Sequence, residues 1–172
     1  GEVLITPVRW FGDHYAACSI TFDDGTLDHY LVGAPELENR GIRGTFFVIT
    51  GFAGDEIWFD GENPRRLMNW DQIRDLSRRG HEIASHTVHH LDLTQKSRRA
   101  DKELRLSLRD LRRELPGIAG FSLGWPYWRS TPEIRRLAAR YYYAARSGGI
   151  ATESGDAAYG GVNAASPHDY FA

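Results

Sequence analysis

Four of the chain's seven histidines fall in HEIASHTVHH, residues 81–90, directly behind a strand-like run. His86 and His90 stand four apart, a spacing that sets both imidazoles on one face of a helical turn, as two nitrogen ligands of a divalent cation require. The segment lacks the glutamate of an HExxH pattern, so a carboxylate ligand and any general base must come from elsewhere in the chain. The stretch SITFDDGTLDHY, residues 19–30, offers two adjacent acids, Asp23 and Asp24, at the end of an apolar run. One of the pair can complete a His, His, Asp site while its neighbour stays off the metal as a base. Three protein ligands leave a coordination position for water, the form of a catalytic rather than a structural centre, and the ion would lower the pKa of that water. Blander readings stand beside this one. An Asp-Gly pair after a strand is an ordinary turn, and HxxxH also occurs in helices whose histidines bond only backbone or water. His81 reads as a packed or surface histidine and His89 as a solvent-facing neighbour. It is the two segments together, each behind a strand, that favour a metal site.

Several β-rich runs must position these residues: AACSITF (16–22), GTFFVI (44–49), HEIAS (81–85), IAGFSLG (118–124) and YYYAAR (141–146), separated by helical patterns. Asn69 opens WDQIRDLSRR with Gly80 behind it, and Thr131, Pro132 and Glu133 open EIRRLAARY. The longest helix is predicted over 94–115, with Leu104, Leu108, Leu111 and Leu115 on one stripe and Pro116 and Gly117 as the stop. Strands alternating with helices argue for an α/β fold with a parallel sheet and a ligand site at the carboxyl ends of the strands. About five such units are visible, whereas a full eight-unit barrel needs ~250 residues. An incomplete barrel, an open sheet or a fragment of a longer protein is therefore expected. The Gly-rich tail offers no sixth unit. No linker or repeat divides the chain, so residues 1–172 read as a single domain whose C-terminal end is open to truncation.

With 172 residues, 41% of them hydrophobic, the chain can bury one sizeable core. A net charge of -2 makes neither nucleic acid nor an anionic membrane the obvious partner. No apolar run reaches the roughly 18 residues of a membrane span, and GEVLITPVRW lacks the layout of a signal peptide, which points to a soluble chain. A lone cysteine, Cys18, excludes an internal disulfide framework and reads as a small buried side chain. The arginine-rich RRADKELRLSLRDLRREL has the basic content of a nucleic-acid-binding helix, but interleaved Asp101, Glu103, Asp110 and Glu114 predict a salt-bridged, solvated face instead.

TFDDG (21–25), SHTVHH (85–90) and WPYW (125–128), with the spacers GTFFVI and MNWDQIRDLSRRGHEI, resemble the polysaccharide deacetylases of carbohydrate esterase family four, the NodB-homology domain. The likeness runs over about 19–146. It implies a distorted or incomplete (β/α) barrel of mostly parallel strands with outer helices. It also implies one divalent metal ion, usually zinc with cobalt, manganese or nickel as substitutes, that hydrolyses N-acetyl or O-acetyl groups on glycans such as chitooligosaccharide, peptidoglycan or poly-N-acetylglucosamine. Carried over residue by residue, Asp23 matches the catalytic base, Asp24, His86 and His90 the metal ligands, and Pro126 with Tyr127 the substrate-groove motif, flanked by Trp125. In that family the tyrosine's backbone amide helps to hold the oxyanion. The family pattern further supplies a late histidine that protonates the leaving amine and an arginine in the third motif that orients the base. Gly124 stands in the arginine's place, and Arg146, at the end of YYYAAR, is the candidate substitute. The late motif is not visible before Ala172, and His168 in SPHDY matches it poorly. The resemblance implies an extracellular or cell-envelope location, with the cytoplasm as the alternative, and an acetylated glycan as partner; it leaves oligomeric state and substrate unspecified. Two other readings compete: a metal-dependent amidohydrolase of cyclic imides or ureides, and a non-catalytic domain that binds glycan through Trp125, Tyr127, Trp128 and Trp58. The intact acid pair and HxxxH disfavour the second.

Overall fold

In the computed structural model, residues 19–59 and 63–146 are described, with the backbone of two short strands beyond them. The chain runs β1 (Thr21–Phe22), α1 (Ala34–Glu38, entered through a π-turn His29–Gly33), β2 (Thr45–Val48), β3 (Glu56–Phe59), β4 (Asn63–Arg66), α2 (Trp70–Arg78) and β5 (Glu82–Ser85). It continues with α3 (Ser97–Glu114), β6 (Ser122–Gly124), α4 (Pro132–Ala138), β7 (Ala144–Arg146), β8 (Ile150–Ala151) and β9 (Ala157–Ala158). Five of these strands form one parallel sheet in the order β1-β2-β5-β6-β7. That order follows the chain without reversing, as strands do when they wind in one direction around a barrel; a doubly wound sheet would show a switch point. The result is the expected incomplete barrel, and all five strands end on one side, where the candidate residues lie.

Local signals act as read. Asn69 caps α2 through a reciprocal box, its side chain accepting from the Gln72 amide at 3.0 Å and the Gln72 side chain accepting from the Asn69 amide at 2.9 Å. Thr131 caps α4, with Pro132 in the first turn. The leucine stripe of α3 is buried beside Phe121, Leu123 and Trp125. This helix begins at Ser97 rather than at 94, because Asp92 accepts from both the amide and the hydroxyl of Thr94 and holds that stretch in a turn.

The antiparallel hairpin β3–β4 is unforeseen. Its second strand, NPRR, carries a proline and two arginines and is fully exposed, so no alternation marks it. The hairpin returns to the sheet where Leu67 bridges Thr26 and the Met68 amide donates to the Gly25 carbonyl at 2.9 Å. It therefore buttresses the turn that carries the acid pair. The solvated face of α3 also needs correction. Asp101 and Arg105 pair on the surface, but Glu103 is only 4% exposed and points inward. Cys18 and His168 lie outside the described residues, as does most of the Gly-rich tail; β8 and β9 within it pair antiparallel and add no further βα unit. Among the described residues no helix is long and apolar enough to cross a membrane.

At the other end of the sheet His81 is a packed histidine, as one of its two readings had it. Its Nδ1 accepts from the Gly44 amide at 3.1 Å, which leaves Nε2 to donate to Glu38 at 2.9 Å. Glu38 also takes a two-pronged contact from Arg79, at 2.7 Å for each oxygen. Arg79 and His81 together hold the Glu38 carboxyl down at about 2, against an ordinary 4.5. A depressed carboxylate contributes stability that is complete above its ordinary pKa and is lost as pH falls towards the folded value. Urea unfolding of Glu38→Gln beside wild type should therefore show a deficit that is full at neutral pH, shrinks below 4.5 and closes near 2. A deficit constant across that range would remove the charge-based account.

Candidate active site

The acid pair forms both a turn and a presentation device. Asp24 and Gly25 take left-handed backbone, with φ of 72° and 75°. A side chain at Gly25 would also meet Val48 Cγ1 at 3.1 Å, so the turn packs directly on β2. This backbone aims the Asp24 carboxylate across the strand ends, where its Oδ1 lies 3.5 Å from His86 Nε2 and 3.3 Å from His90 Nε2. One donor atom from each residue lies within 4.8 Å of the others.

The two histidines do not meet by helical spacing, which corrects the expectation above. Residues 86–90 are irregular chain behind β5, and Thr87 and His90 bend it with φ of 66° and 54°. The His86 amide continues the sheet ladder to the Val48 carbonyl at 2.8 Å, and the carbonyls of Thr87 and Val88 accept from Thr50 and Gly51 at 3.1 and 3.0 Å. The Thr87 hydroxyl then accepts from the His90 amide at 3.1 Å. The imidazole centroids end 4.8 Å apart.

Proton placement decides what this cluster can hold. His86 Nδ1 lies 2.9 Å from the Gly124 carbonyl, an oxygen that only accepts, so Nδ1 carries a proton and Nε2 is the ring nitrogen turned towards Asp24. Burial, helped by the neighbouring His86, pushes the His90 imidazole down to about 4, so His90 is neutral near pH 7. A carboxylate oxygen and two imidazole nitrogens thus converge on one point. That donor set fits a divalent cation that accepts nitrogen and oxygen ligands, and the His86–Gly124 bond is the outer contact that fixes such a ligand's tautomer.

Asp23, beside this cluster, pairs with Arg146 Nη2; both side chains are mostly covered, at 27% and 18% exposure. Arg146 stands directly across from Gly124 in the β6–β7 register, and its guanidinium lies 4.7 Å over the Phe47 ring. Gly124 has no room for a side chain, because a Cβ there would meet Phe47 Cδ1 at 2.8 Å and His86 Nδ1 at 3.2 Å. Arg146 thus brings a guanidinium to Asp23 from the strand beside Gly124.

The aromatic motif divides. Trp125 is 1% exposed, and Pro126 is buried with it. Neither offers a face to a glycan, so their expected part as direct substrate contacts is corrected to one of packing. Tyr127 and Trp128, at 53% and 43% exposed, both have φ of 56°, and the Tyr127 ring lies 4.7 Å from that of His90. Trp58 is open on the hairpin. His89 is half exposed, but not merely solvent-facing: its Nδ1 lies 2.7 Å from Glu103 and its ring meets Phe52 edge-on. Glu103 was missed because its charge was read as a surface signal. Its place three residues after Ala100 and four before Ser107, both buried, marks the inner face.

A sequence profile described as Polysaccharide deacetylase matches residues 14–145. The Bacillus subtilis protein YxkH, named as a polysaccharide deacetylase, is 32% identical over 74 residues, which cover 43% of this chain and 23% of that protein. The structure of IcaB from Ammonifex degensii superposes with a TM-score of 0.65 at 24% identity, covering 75% of this chain and 58% of that one. The deacetylase PplD of Streptococcus pyogenes, in complex with acetate, also gives 0.65 at 24% identity, over 81% of this chain and 61% of its own. These likenesses show the fold, and the present chain spans less than two thirds of each relative. The crowding at Gly124 carries a testable consequence. Gly124→Ala should cost about 1–3 kcal/mol in chemical unfolding; an unchanged midpoint would mean that Phe47 and His86 yield freely.

Proposed function

Since this chain belongs to the polysaccharide deacetylase family, we propose that it hydrolyses acetyl groups on a glycan, with Asp24, His86 and His90 holding one divalent ion, zinc by choice, and Asp23 acting as general base. One observation carries the reading: a carboxylate and an imidazole pair converging at the strand ends, with a second carboxylate beside them paired with Arg146. When bound, the ion supplies a Lewis acid that acidifies water and polarises the acetyl carbonyl. Asp23 takes the proton from the attacking water, and the Arg146 guanidinium fixes the carboxylate's direction without competing for the water. The water oxygen becomes bonded to the acyl carbon, the C–N bond of an N-acetyl group breaks, and the proton lost by the water ends on the nitrogen, which leaves as an amine while acetate is released. The backbone amide of Tyr127 is assigned to the carbonyl oxygen as charge develops on it. The exposed rings of Tyr127 and Trp128 offer faces on which a sugar can lie. An acetylated envelope or extracellular glycan is the substrate class we favour, and that location goes with it.

Metal analysis and acetate release from an N-acetylglucosamine oligomer, measured on the same samples, test this. Wild type should hold about one equivalent of metal and lose activity to a chelator, with zinc or cobalt restoring it; Asp24→Ala and His86→Ala should lose both metal and activity. Asp23→Asn should keep the metal and lose about 10²–10⁴ in kcat, with Arg146→Ala keeping the metal and losing less. Stoichiometric metal without acetate release, but with turnover of a hydantoin or cyclic imide, would transfer the reading to cyclic amides.

A further inference from the structure

A carboxylate buried within a helix face is costly unless its oxygens find donors. Glu103, 4% exposed on the inner side of α3, finds its donors in one place. Its Oε2 accepts from the consecutive amides of Val88 and His89 at 3.1 and 2.9 Å, and its Oε1 lies 2.7 Å from His89 Nδ1. These donors belong to the chain between His86 and His90. The two imidazoles are anchored differently. His86 is fixed by the sheet ladder through its amide and by Gly124 through its ring. His90 lies beyond two left-handed residues, Thr87 and itself, in a loop whose route is set by what grips residues 87–89. On the inner side of that loop the Ser85 hydroxyl accepts from the Thr87 amide at 3.1 Å, and Glu103 takes the next two amides in turn.

We propose that Glu103 is a positioning residue: by binding the amides of Val88 and His89, it holds His90 where its Nε2 meets Asp24 and His86. The inference rests on the metal reading above and extends it to a residue that touches neither metal nor substrate. It predicts that loss of Glu103 acts through His90 and leaves the His86 and Asp24 contributions intact.

The test is titration of the metal-free full chain with Co²⁺ alone, followed by calorimetry and by the visible spectrum of the bound ion, with thermal unfolding of each metal-free variant alongside. Glu103→Ala should weaken Co²⁺ binding by about 10–100-fold and change the spectrum. Glu103→Gln, which keeps an oxygen for the two amides, should recover part of the loss. Leu108→Ala, a core substitution on the same helix outside the Glu103 hydrogen bonds, should lower the melting temperature and leave Co²⁺ affinity unchanged. In a His90→Ala background, Glu103→Ala should add nothing, because the ligand through which it acts is gone. Wild-type affinity in folded Glu103→Ala, an equal further loss in the His90→Ala background, or collapse of the metal-free fold in both Glu103 variants would each overturn the proposal. A wild-type chain that binds no Co²⁺ would instead sink the metal site itself, and this inference with it.

Discussion

Two imidazoles and a carboxylate are held within a few ångströms of one another at the rim of the sheet, and the rest of this molecule can be understood as what keeps them there. Asp24, His86 and His90 come from two strands that are next but one in the barrel sheet, with β2 between them. The parallel arrangement brings the ends of those strands to one rim. It supplies height and spacing, while direction comes from the loops.

The described non-glycine residues with positive φ are Asp24, Thr87, His90, Tyr127 and Trp128, all within the three motif segments. Each such residue costs of order 1–3 kcal/mol where the surroundings do not relieve it. Strain confined to the site is what a chain shows when the geometry of a few side chains outranks local comfort. The relief is visible in hydrogen bonds: Thr87 is held through both its amide and its carbonyl, and the Asp24–Gly25 turn is tied to the hairpin through Met68.

Much of this was legible in the sequence, for identifiable reasons. Strands that are nearly continuously buried, such as Thr45–Val48, announce themselves by composition, and caps such as Asn69 and Thr131 act through neighbours only three residues away. What escaped depended on partners remote in the chain. The spacing of His86 and His90 suggested a helix because HxxxH has that period, yet the convergence is made by left-handed turns that leave no periodic trace. Trp125 looked like a sugar platform because tryptophan is both a core and a rim residue; only the packing of α3 and β6 decides which. Glu103 looked solvated because charge normally is, and its donors lie 14 and 15 residues upstream in a loop. Arg146 could be nominated from its strand end, but its pairing with Asp23 spans 123 positions.

The facing pair Gly124 and Arg146 has a bearing on how such sites can be built. In a parallel sheet, adjacent strands at equal height present side chains to nearly the same volume, so a guanidinium can be donated from either one provided the other falls silent. A functional group can thereby migrate sideways across a barrel while its destination stays put. A reading confined to one motif at a time would overlook such a donation, whereas a comparison of occupied volumes would register it.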